Sequence, residues 1–280
     1  DMSLQLAGEE QAQGTSRVLR LTQREQQFEF VNLPQAPVPS LLRGFSAPVK
    51  LEVDLSDEQL MFLMAHDSDS FNRWEAGQTL ALRIMLRLID DYRQDQALQL
   101  PLGFVESMRR TLTDSELDAA LIAQALTLPT EVYVAEQMAQ IDPDAIHAVR
   151  EFIRHELATA LRADLVAVHQ ACQKPGAYRY DAASAGLRAL KNTCLAYLLL
   201  TESPDALQWC VQQANAADNM TDSLAALSAL THCACPERSP TLDAFFERWK
   251  NEPLVVDKWL SLRASATLPG TLDDVKALVG

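Results

Sequence analysis

The spacing of apolar residues along the chain changes near residue 54, from alternation before this point to helical spacing after it. Ser16–Leu21 and Gln27–Val31 show partial or full alternation of apolar and polar residues, which places the apolar side chains on one face of a β-strand. The polar residues Thr22–Glu25 fit a turn between these strands, and the four prolines from Pro34 to Pro48 disfavour a central strand there. Residues 1–53 are predicted to hold about three to five short strands, which is few for two packed sheets. We therefore expect the C-terminal part of a small β-sandwich domain.

From Ser56 onward the apolar residues recur at helical spacing. Ser56 precedes Asp57 and Glu58, a combination typical of a helix N-terminus, and Asp142-Pro143 is a second start signal. The pattern predicts about ten helices joined by short loops, so that residues 54–280 form the N-terminal part of a helical domain. The predicted helices begin with one that starts at Ser56 and continue with Asp69–Tyr92, Ser115–Leu126, Asp142 to about Cys172, Ala182–Leu200, Ser203–Ala214, Thr221–Leu230, Thr241–Lys250, Pro253–Ala264 and Thr271–Val279.

Successive helix pairs with one charged face and one Ala/Leu-rich face are typical of irregular α-solenoids. We therefore predict a mainly α protein, a superhelical α-solenoid of HEAT- or armadillo-like helix pairs preceded by a partial β-sandwich. A helical bundle is the alternative. The last predicted helix contains Leu272, Val275, Leu278 and Val279 and has no polar outer face to end the stack, so the solenoid is expected to be truncated there.

Composition and charge exclude several classes of partner. Of the 280 residues, 38 are acidic and 24 basic, and the formal net charge of −14 repels phosphate backbones and anionic membrane surfaces. The longest candidate for a membrane span, Cys194–Leu200, is far too short. We expect no nucleic-acid partner and no membrane association. The five cysteines are not spaced as a disulfide framework, which favours a reducing compartment.

The helix predicted to begin at Asp142 contains the segment that most closely resembles a zinc-binding motif. A zincin helix needs two histidines four residues apart, but the segment that starts with His155-Glu156 has Thr159 in the second position. His147, Glu151 and His155 share one helix face and could in principle form a metal patch. The favoured alternative is an exposed face with pairs such as Glu151 with His155, beside two arginines. Those arginines are Arg150 and Arg154.

Other reactive residue types also lack the spacing that chemistry requires. His232–Pro236 contains two cysteines in a C-x-C pattern, yet no second pair follows, and Cys194 and Cys210 fall on apolar helix faces. Core or loop cysteines are therefore favoured over a metal or redox site. The sequence has no G-x-S-x-G motif and no glycine-rich phosphate loop. The four tryptophans are predicted to pack in helical cores; they are Trp74, Trp209, Trp249 and Trp259. No catalytic, cofactor-binding or metal-binding residue is predicted.

Several segments, in sequence order, resemble bacterial aminopeptidase N, of the gluzincin zinc aminopeptidase family. Pro37–Leu51 resembles the family's junction between a small β-sandwich and a C-terminal helical domain. Further matching segments follow through most of the chain. They are Phe62–Asp67, Phe71–Ala76, Gln78, Leu126–Pro129, Ile141–Pro143, Asn219–Asp222, Leu224–Leu227 and Asp257–Trp259.

The resemblance implies a parent enzyme that removes N-terminal residues from peptides, with zinc held by an H-E-x-x-H helix and a later Glu. The family places these ligands in a thermolysin-like domain, together with a G-x-M-E-N motif and an oxyanion-stabilising Tyr. That domain would precede Asp1, and the family's chamber-facing basic residues would follow Gly280. Neither motif occurs in this chain, so no catalytic residue is transferred to it. Zinc is expected in the parent enzyme and not in this fragment.

Together these patterns predict the non-catalytic C-terminal portion of a cytoplasmic zinc aminopeptidase. Its expected role is to wall the substrate chamber and to gate access of peptides to the catalytic domain of the same polypeptide. The alternative is a free-standing α-solenoid that binds proteins. A third hypothesis is an independent metalloenzyme built on His147, Glu151 and His155.

Overall fold

The computed structural model of the chain describes residues 2–173 and 176–279. Two compact units are present, an N-terminal unit, Asp1–Val49, and a helical unit, Lys50–Gly280. The outer ends of the two predicted domains, Asp1 and Gly280, lie outside the described residues.

The N-terminal unit contains a two-stranded antiparallel sheet. Strand β1, Gln5–Leu6, pairs with β2, Phe30–Val31, and Leu6 lies opposite Phe30. Outside this sheet, the Leu4 amide donates to the Gly14 carbonyl and the Gln13 amide donates to the Leu4 carbonyl, both at 2.8 Å. Only the end of the predicted strand Gln27–Val31 is therefore paired.

The predicted strand Ser16–Leu21 is wrong, as is the expected number of three to five strands. In the described part of the chain, Ser16–Leu21 has no regular secondary structure, and Val18 and Leu21 are 87% and 74% exposed. Alternation predicts a strand only when a second strand supplies the partners for its backbone groups. Here Arg17 instead forms an ion pair with Glu9, which lowers the pKa of the Glu9 carboxyl.

The helical unit contains thirteen α-helices among its described residues, in place of the ten predicted. Many are amphipathic and bury an Ala- and Leu-rich stripe. None is long and apolar enough to cross a lipid bilayer, within the residues that were described. In chain order they are α1 (Asp57–His66), α2 (Ser70–Arg93), α3 (Leu102–Leu112), α4 (Ala119–Ala125), α5 (Glu131–Glu136), α6 (Pro143–Ala160), α7 (Arg162–Ala171), α8 (Ala182–Leu199), α9 (Pro204–Ala216), α10 (Met220–Thr231), α11 (Arg238–Trp249), α12 (Pro253–Ala264) and α13 (Thr271–Val279).

Local capping chemistry explains why several helix starts were predicted correctly. The Ser56 side chain accepts a hydrogen bond from the amide of Gln59, whose side chain bonds back to the Ser56 amide. Asp69 caps α2, and Asp142 caps α6 ahead of a proline at the first helical position. These caps satisfy backbone donors that the first helical turn leaves without partners.

The single long helix predicted from Asp142 to Cys172 is instead two helices that meet at Leu161. The backbone of Leu161 leaves helical geometry at φ −102° and ψ 7°. Arg109 of α3 donates to the carbonyl of Ala160 at 3.0 Å and forms an ion pair with Asp164. A tertiary contact therefore satisfies the end of α6, where the local sequence contains neither glycine nor proline.

Helices α3 and α5 were not predicted, and α4 begins later than expected. Helix α3 follows Pro101 without a capping side chain and contains Gly103, which lowers its local helix signal. A Cβ at Gly103 would lie 2.7 Å from the Sδ of Met61, so this glycine permits close packing on α1. Helix α4 is capped by Asp118, whereas Asp114 pairs with the buried Arg73 at 2.9 Å.

Helix α8 is the centre of the helical unit and packs against α4, α6, α7, α9 and α10. Gly186 of α8 faces the backbone of α4, where an added Cβ would lie 3.0 Å from the Ala120 nitrogen. Three turns further along the same face of α8, the Tyr197 hydroxyl donates to the Leu126 carbonyl at 2.7 Å. The first contact holds α8 against the start of α4, and the second holds it against the end of α4.

Replacing Gly186 with valine is expected to destabilise the helical unit by about 2 kcal/mol, because the added methyl groups would separate α8 from α4. The neighbouring exposed residue provides a control, since Ala185→Val should cost less than about 1 kcal/mol through helix propensity alone. Urea denaturation of both variants measures the difference. Equal losses would show that the close approach at Gly186 is unimportant.

Candidate functional site

The three residues of the possible metal patch on α6 make separate contacts. His147 lies 2.8 Å from a carboxylate oxygen of Glu131. Glu151 accepts from Arg154 at 2.7 and 2.9 Å, and His155 is exposed. The predicted pairing of Glu151 with His155 is therefore wrong, because the guanidinium of Arg154 offers the stronger charge-assisted bond.

Residues His232–Pro236 are likewise a poor fit to a metal or redox centre. His232 contacts the hydroxyl of Thr267 at 3.1 Å, and the Cys233 thiol donates to the carbonyl of Ala229 at 3.5 Å. Burial raises the pKa of the Cys233 thiol to about 11 and also raises that of Cys235. Metal ligation and nucleophilic attack require the thiolate, which these environments disfavour.

The zinc implied by the family resemblance does not fit these donors. Within the described residues, no group of three or more His, Cys, Asp or Glu side chains is close enough to hold a metal ion. On α6, Thr159 occupies the position where a zincin helix needs its second histidine. We derive no catalytic step from this chain.

A groove of about 850 Å³ lies between residues 176–179 and the helices α7, α8, α9 and α10. This volume is within the range of sites that hold small ligands. The α7–α9 groove, as we call it, is lined by side chains that include His169, Tyr178, Arg188, Lys191 and Trp209. It is the candidate binding site of the helical unit.

An ion pair at the base of the α7–α9 groove joins α8 to α10. The Lys191 ammonium lies 2.6 Å from a carboxylate oxygen of Asp222, and their side chains are only 14% and 8% exposed. Asp222 also accepts from the amides of Asn192 and Asn219 at 2.9 and 3.2 Å. Gln213 of α9 donates to the Asn192 side chain and to the Asp222 carbonyl. Three helices therefore share one polar network.

His169 is the unusual member of the groove lining. Its side chain is buried and stacks on Trp209, with ring centroids 5.3 Å apart and an interplanar angle of 18°. Neither ring nitrogen has a hydrogen-bond partner among the residues that the structure describes. Burial and, secondly, the positive charge of Lys191 lower the pKa of His169 to about 4, so the ring is neutral at pH 7.

The geometry of the two units is matched by known protein families. Residues 57–280 match "Domain of unknown function (DUF3458_C) ARM repeats", and residues 2–54 match "Domain of unknown function (DUF3458) Ig-like fold". The chain belongs to the DUF3458_C family. The predicted fold class, a mainly α repeat domain preceded by part of a β-sandwich, is thereby confirmed.

Relatives of this DUF3458_C chain include bacterial aminopeptidases. It is 40% identical over 262 residues to aminopeptidase N of Escherichia coli (strain K12) and 35% identical over 264 residues to that of Haemophilus influenzae. Each match covers 94% of this chain but 30% of the relative. A crystal structure of Legionella pneumophila aminopeptidase A in complex with aspartic acid matches with a TM-score of 0.74 and 31% identity, over 88% of this chain and 29% of that one. The resemblance to aminopeptidase N is confirmed.

The tryptophans of this DUF3458_C domain differ in their surroundings. Trp259 is buried, and its indole N–H donates to the Leu242 carbonyl at 2.8 Å, as expected for a core residue. Trp209, also predicted to be a core residue, lines the α7–α9 groove. His169 was not predicted as a site residue; it follows Leu165 by one helical turn on the apolar face of α7. The signal available in the sequence was a polar ring on the apolar face of this helix.

Removing the Asp222 carboxylate is expected to destabilise the helical unit by about 3 kcal/mol, because it leaves the buried Lys191 ammonium without a counter-ion. Urea denaturation of Asp222→Ala measures this loss. The double variant Lys191→Met/Asp222→Leu should be more stable than Asp222→Ala, since it leaves no buried charge. Glu247→Ala removes an exposed pair of the same 2.6 Å length with Lys250 and should cost less than about 1 kcal/mol. Similar losses for both carboxylates would contradict the buried-charge argument.

The depressed pKa of His169 makes the stability of the folded state depend on pH. Below its unfolded value of 6.5 the unfolded chain binds the proton more readily, so stability falls as the pH drops from 6.5 towards 4. Between pH 7 and pH 5 this residue should account for a loss of about 2 kcal/mol, which His169→Phe should abolish.

Urea denaturation of the wild type and of His169→Phe at pH 7 and pH 5 measures the effect. The same substitution at the exposed His155 controls for the change of side chain. Parallel pH curves for the wild type and His169→Phe would contradict the assignment.

Proposed function

We propose that this chain is the non-catalytic C-terminal portion of a zinc metallo-aminopeptidase that releases N-terminal amino acids from peptides. The observation on which this depends is 40% identity to the Escherichia coli aminopeptidase N across 94% of the chain, within 30% of the relative's length. The absence of an H-E-x-x-H motif from the sequence supports a catalytic centre elsewhere in the polypeptide. The partner of this portion is then the catalytic domain of the same polypeptide.

Its role in the longer protein is to wall the substrate chamber and to limit which peptides reach the metal. Repeat domains built from stacked helices present extended surfaces, and such a surface over a catalytic face excludes water and bulky substrates. Exposed apolar side chains support contact with further polypeptide: Leu102, Val132 and Ile141 are 85%, 70% and 57% exposed.

Zinc belongs, in this proposal, to the catalytic domain and to no residue of this chain. His147 and Glu151 are engaged by other side chains, and the Cys233 thiol is held protonated at neutral pH. The proposal includes a cytoplasmic location, supported by Cys194 and Cys210, which are free thiols. The net charge of −14 supports the absence of nucleic-acid and membrane partners.

Separate assays of the 280-residue chain and of the longer protein test the division of labour. The longer protein is expected to hydrolyse leucine p-nitroanilide and to contain zinc, and the isolated chain to do neither. Within the longer protein, His147→Ala and His155→Ala should leave kcat/KM within about twofold, because neither side chain reaches a metal in this proposal. A leucine at the tightly folded N-terminus of a protein should be released far more slowly than one on a short peptide.

Hydrolysis or stoichiometric zinc in the isolated chain, after contaminating proteases have been removed, would contradict the proposal. An inactive His147→Ala variant that retains its fold would favour the independent metalloenzyme. If the reading frame contains no peptidase region upstream, the free-standing protein-binding solenoid becomes the better interpretation.

A further inference from the structure

We propose that the α7–α9 groove binds a small carboxylate with an apolar body, such as the C-terminal residue of a short peptide or an N-acylated amino acid. His169, Trp209 and Arg188 all line this groove, within the helical unit. It is separate from the aminopeptidase chemistry proposed above, and nothing in its argument requires the catalytic domain.

The first observation is the unused hydrogen-bonding capacity of His169. The side chain is 1% exposed, yet in the described part of the chain neither ring nitrogen has a hydrogen-bond partner. A buried polar group without a partner costs free energy, and such groups are rare in folded proteins unless a ligand, ion or water completes them. Because the imidazole is neutral at pH 7, it offers one N–H donor and one acceptor.

Arg188 supplies the charge that selects an anion. One terminal nitrogen donates to the Arg179 carbonyl at 3.1 Å, and the guanidinium lies 4.7 Å from the centre of the Tyr178 ring. Its Nε is buried without a hydrogen-bond partner, and among the described residues no carboxylate forms an ion pair with it. The stacking on Tyr178 holds the guanidinium plane in one orientation, which favours two parallel bonds to a planar carboxylate.

The other cations of the groove are already neutralised. Lys191 pairs with Asp222 at 2.6 Å, and Arg179 pairs with Asp181 at 3.1 Å. Arg188 is therefore the positive charge in this lining that is left for a ligand. One unpaired guanidinium suits a singly charged carboxylate better than a polyanion, which the net charge of −14 also repels.

The apolar part of the groove lining favours a ligand with an apolar body. Trp209 and Leu187 are both half-buried and both line the groove. A volume of about 850 Å³ is far larger than a lone carboxylate needs. A side chain of the size of phenylalanine can cover the indole while the carboxylate contacts Arg188.

Isothermal titration calorimetry on the 280-residue chain with N-acetyl-L-phenylalanine tests the proposal. Saturable binding is expected. In N-acetyl-L-phenylalaninamide a neutral carboxamide replaces the carboxylate, and this compound should bind about tenfold more weakly or worse. Inorganic phosphate is the third probe and should displace N-acetyl-L-phenylalanine only weakly. The bound ligand should also shift the NMR signal of the Trp209 indole N–H.

Matched arginine variants locate the site. Arg188→Gln should weaken binding of N-acetyl-L-phenylalanine about tenfold or more, through loss of the charge-assisted bonds. Arg248→Gln is the control, because Arg248 also stacks on an aromatic ring, that of Trp249, but lies on α11 outside the groove lining. His169→Phe should weaken binding while preserving the stack on Trp209. Circular dichroism verifies that each variant is folded.

Three results would overturn the proposal. The first is no binding of N-acetyl-L-phenylalanine by the folded wild-type chain at 10 mM, about the weakest affinity of interest for one ion pair and one apolar contact. The second is equal affinity for the acid and the amide, or phosphate binding alone. The third is an unchanged affinity in Arg188→Gln with an unmoved Trp209 signal.

Discussion

The buried ion pair between Lys191 and Asp222 is the contact on which the centre of the helical unit depends. It joins α8 to α10, and through Gln213 it also fixes α9. Removing two charges from water is unfavourable, and the Asp222 carboxylate compensates by accepting bonds from two amide side chains as well. Because the lysine is occupied in this way, Arg188 is the one cation of the described groove lining without a carboxylate partner.

The helical unit combines many reactive residue types with environments that suppress their reactivity. His147 and Glu151 on α6 are engaged by neighbouring side chains, and the buried thiols Cys194 and Cys210 are held in the protonated form. A domain with such surroundings is suited to recognition and to shaping access. Chemistry at the peptide bond needs the opposite, groups whose pKa values are set close to the working pH. This contrast agrees with the proposed role of the chain as a non-catalytic portion of an aminopeptidase.

The sequence predicted those features whose causes are local. Helix starts at Ser56, Asp69 and Asp142 were found because a capping side chain and its backbone partner are three or fewer residues apart. The end of α6 was missed because Arg109, which bonds the Ala160 carbonyl, is 51 residues away in the chain. The groove could not be predicted either, since a histidine in an apolar stripe resembles any core residue until its missing partners are seen in three dimensions.

Two buried thiols can report how often the helical unit opens. Burial raises the pKa of Cys194 on α8 and Cys210 on α9 to about 12. Only roughly one in 100,000 such thiols is ionised at pH 7, and it is the thiolate that attacks an alkylating reagent. In the closed domain both positions are therefore chemically silent. Slow modification of either thiol would therefore measure how often the helices around α8 separate, with no engineered probe required.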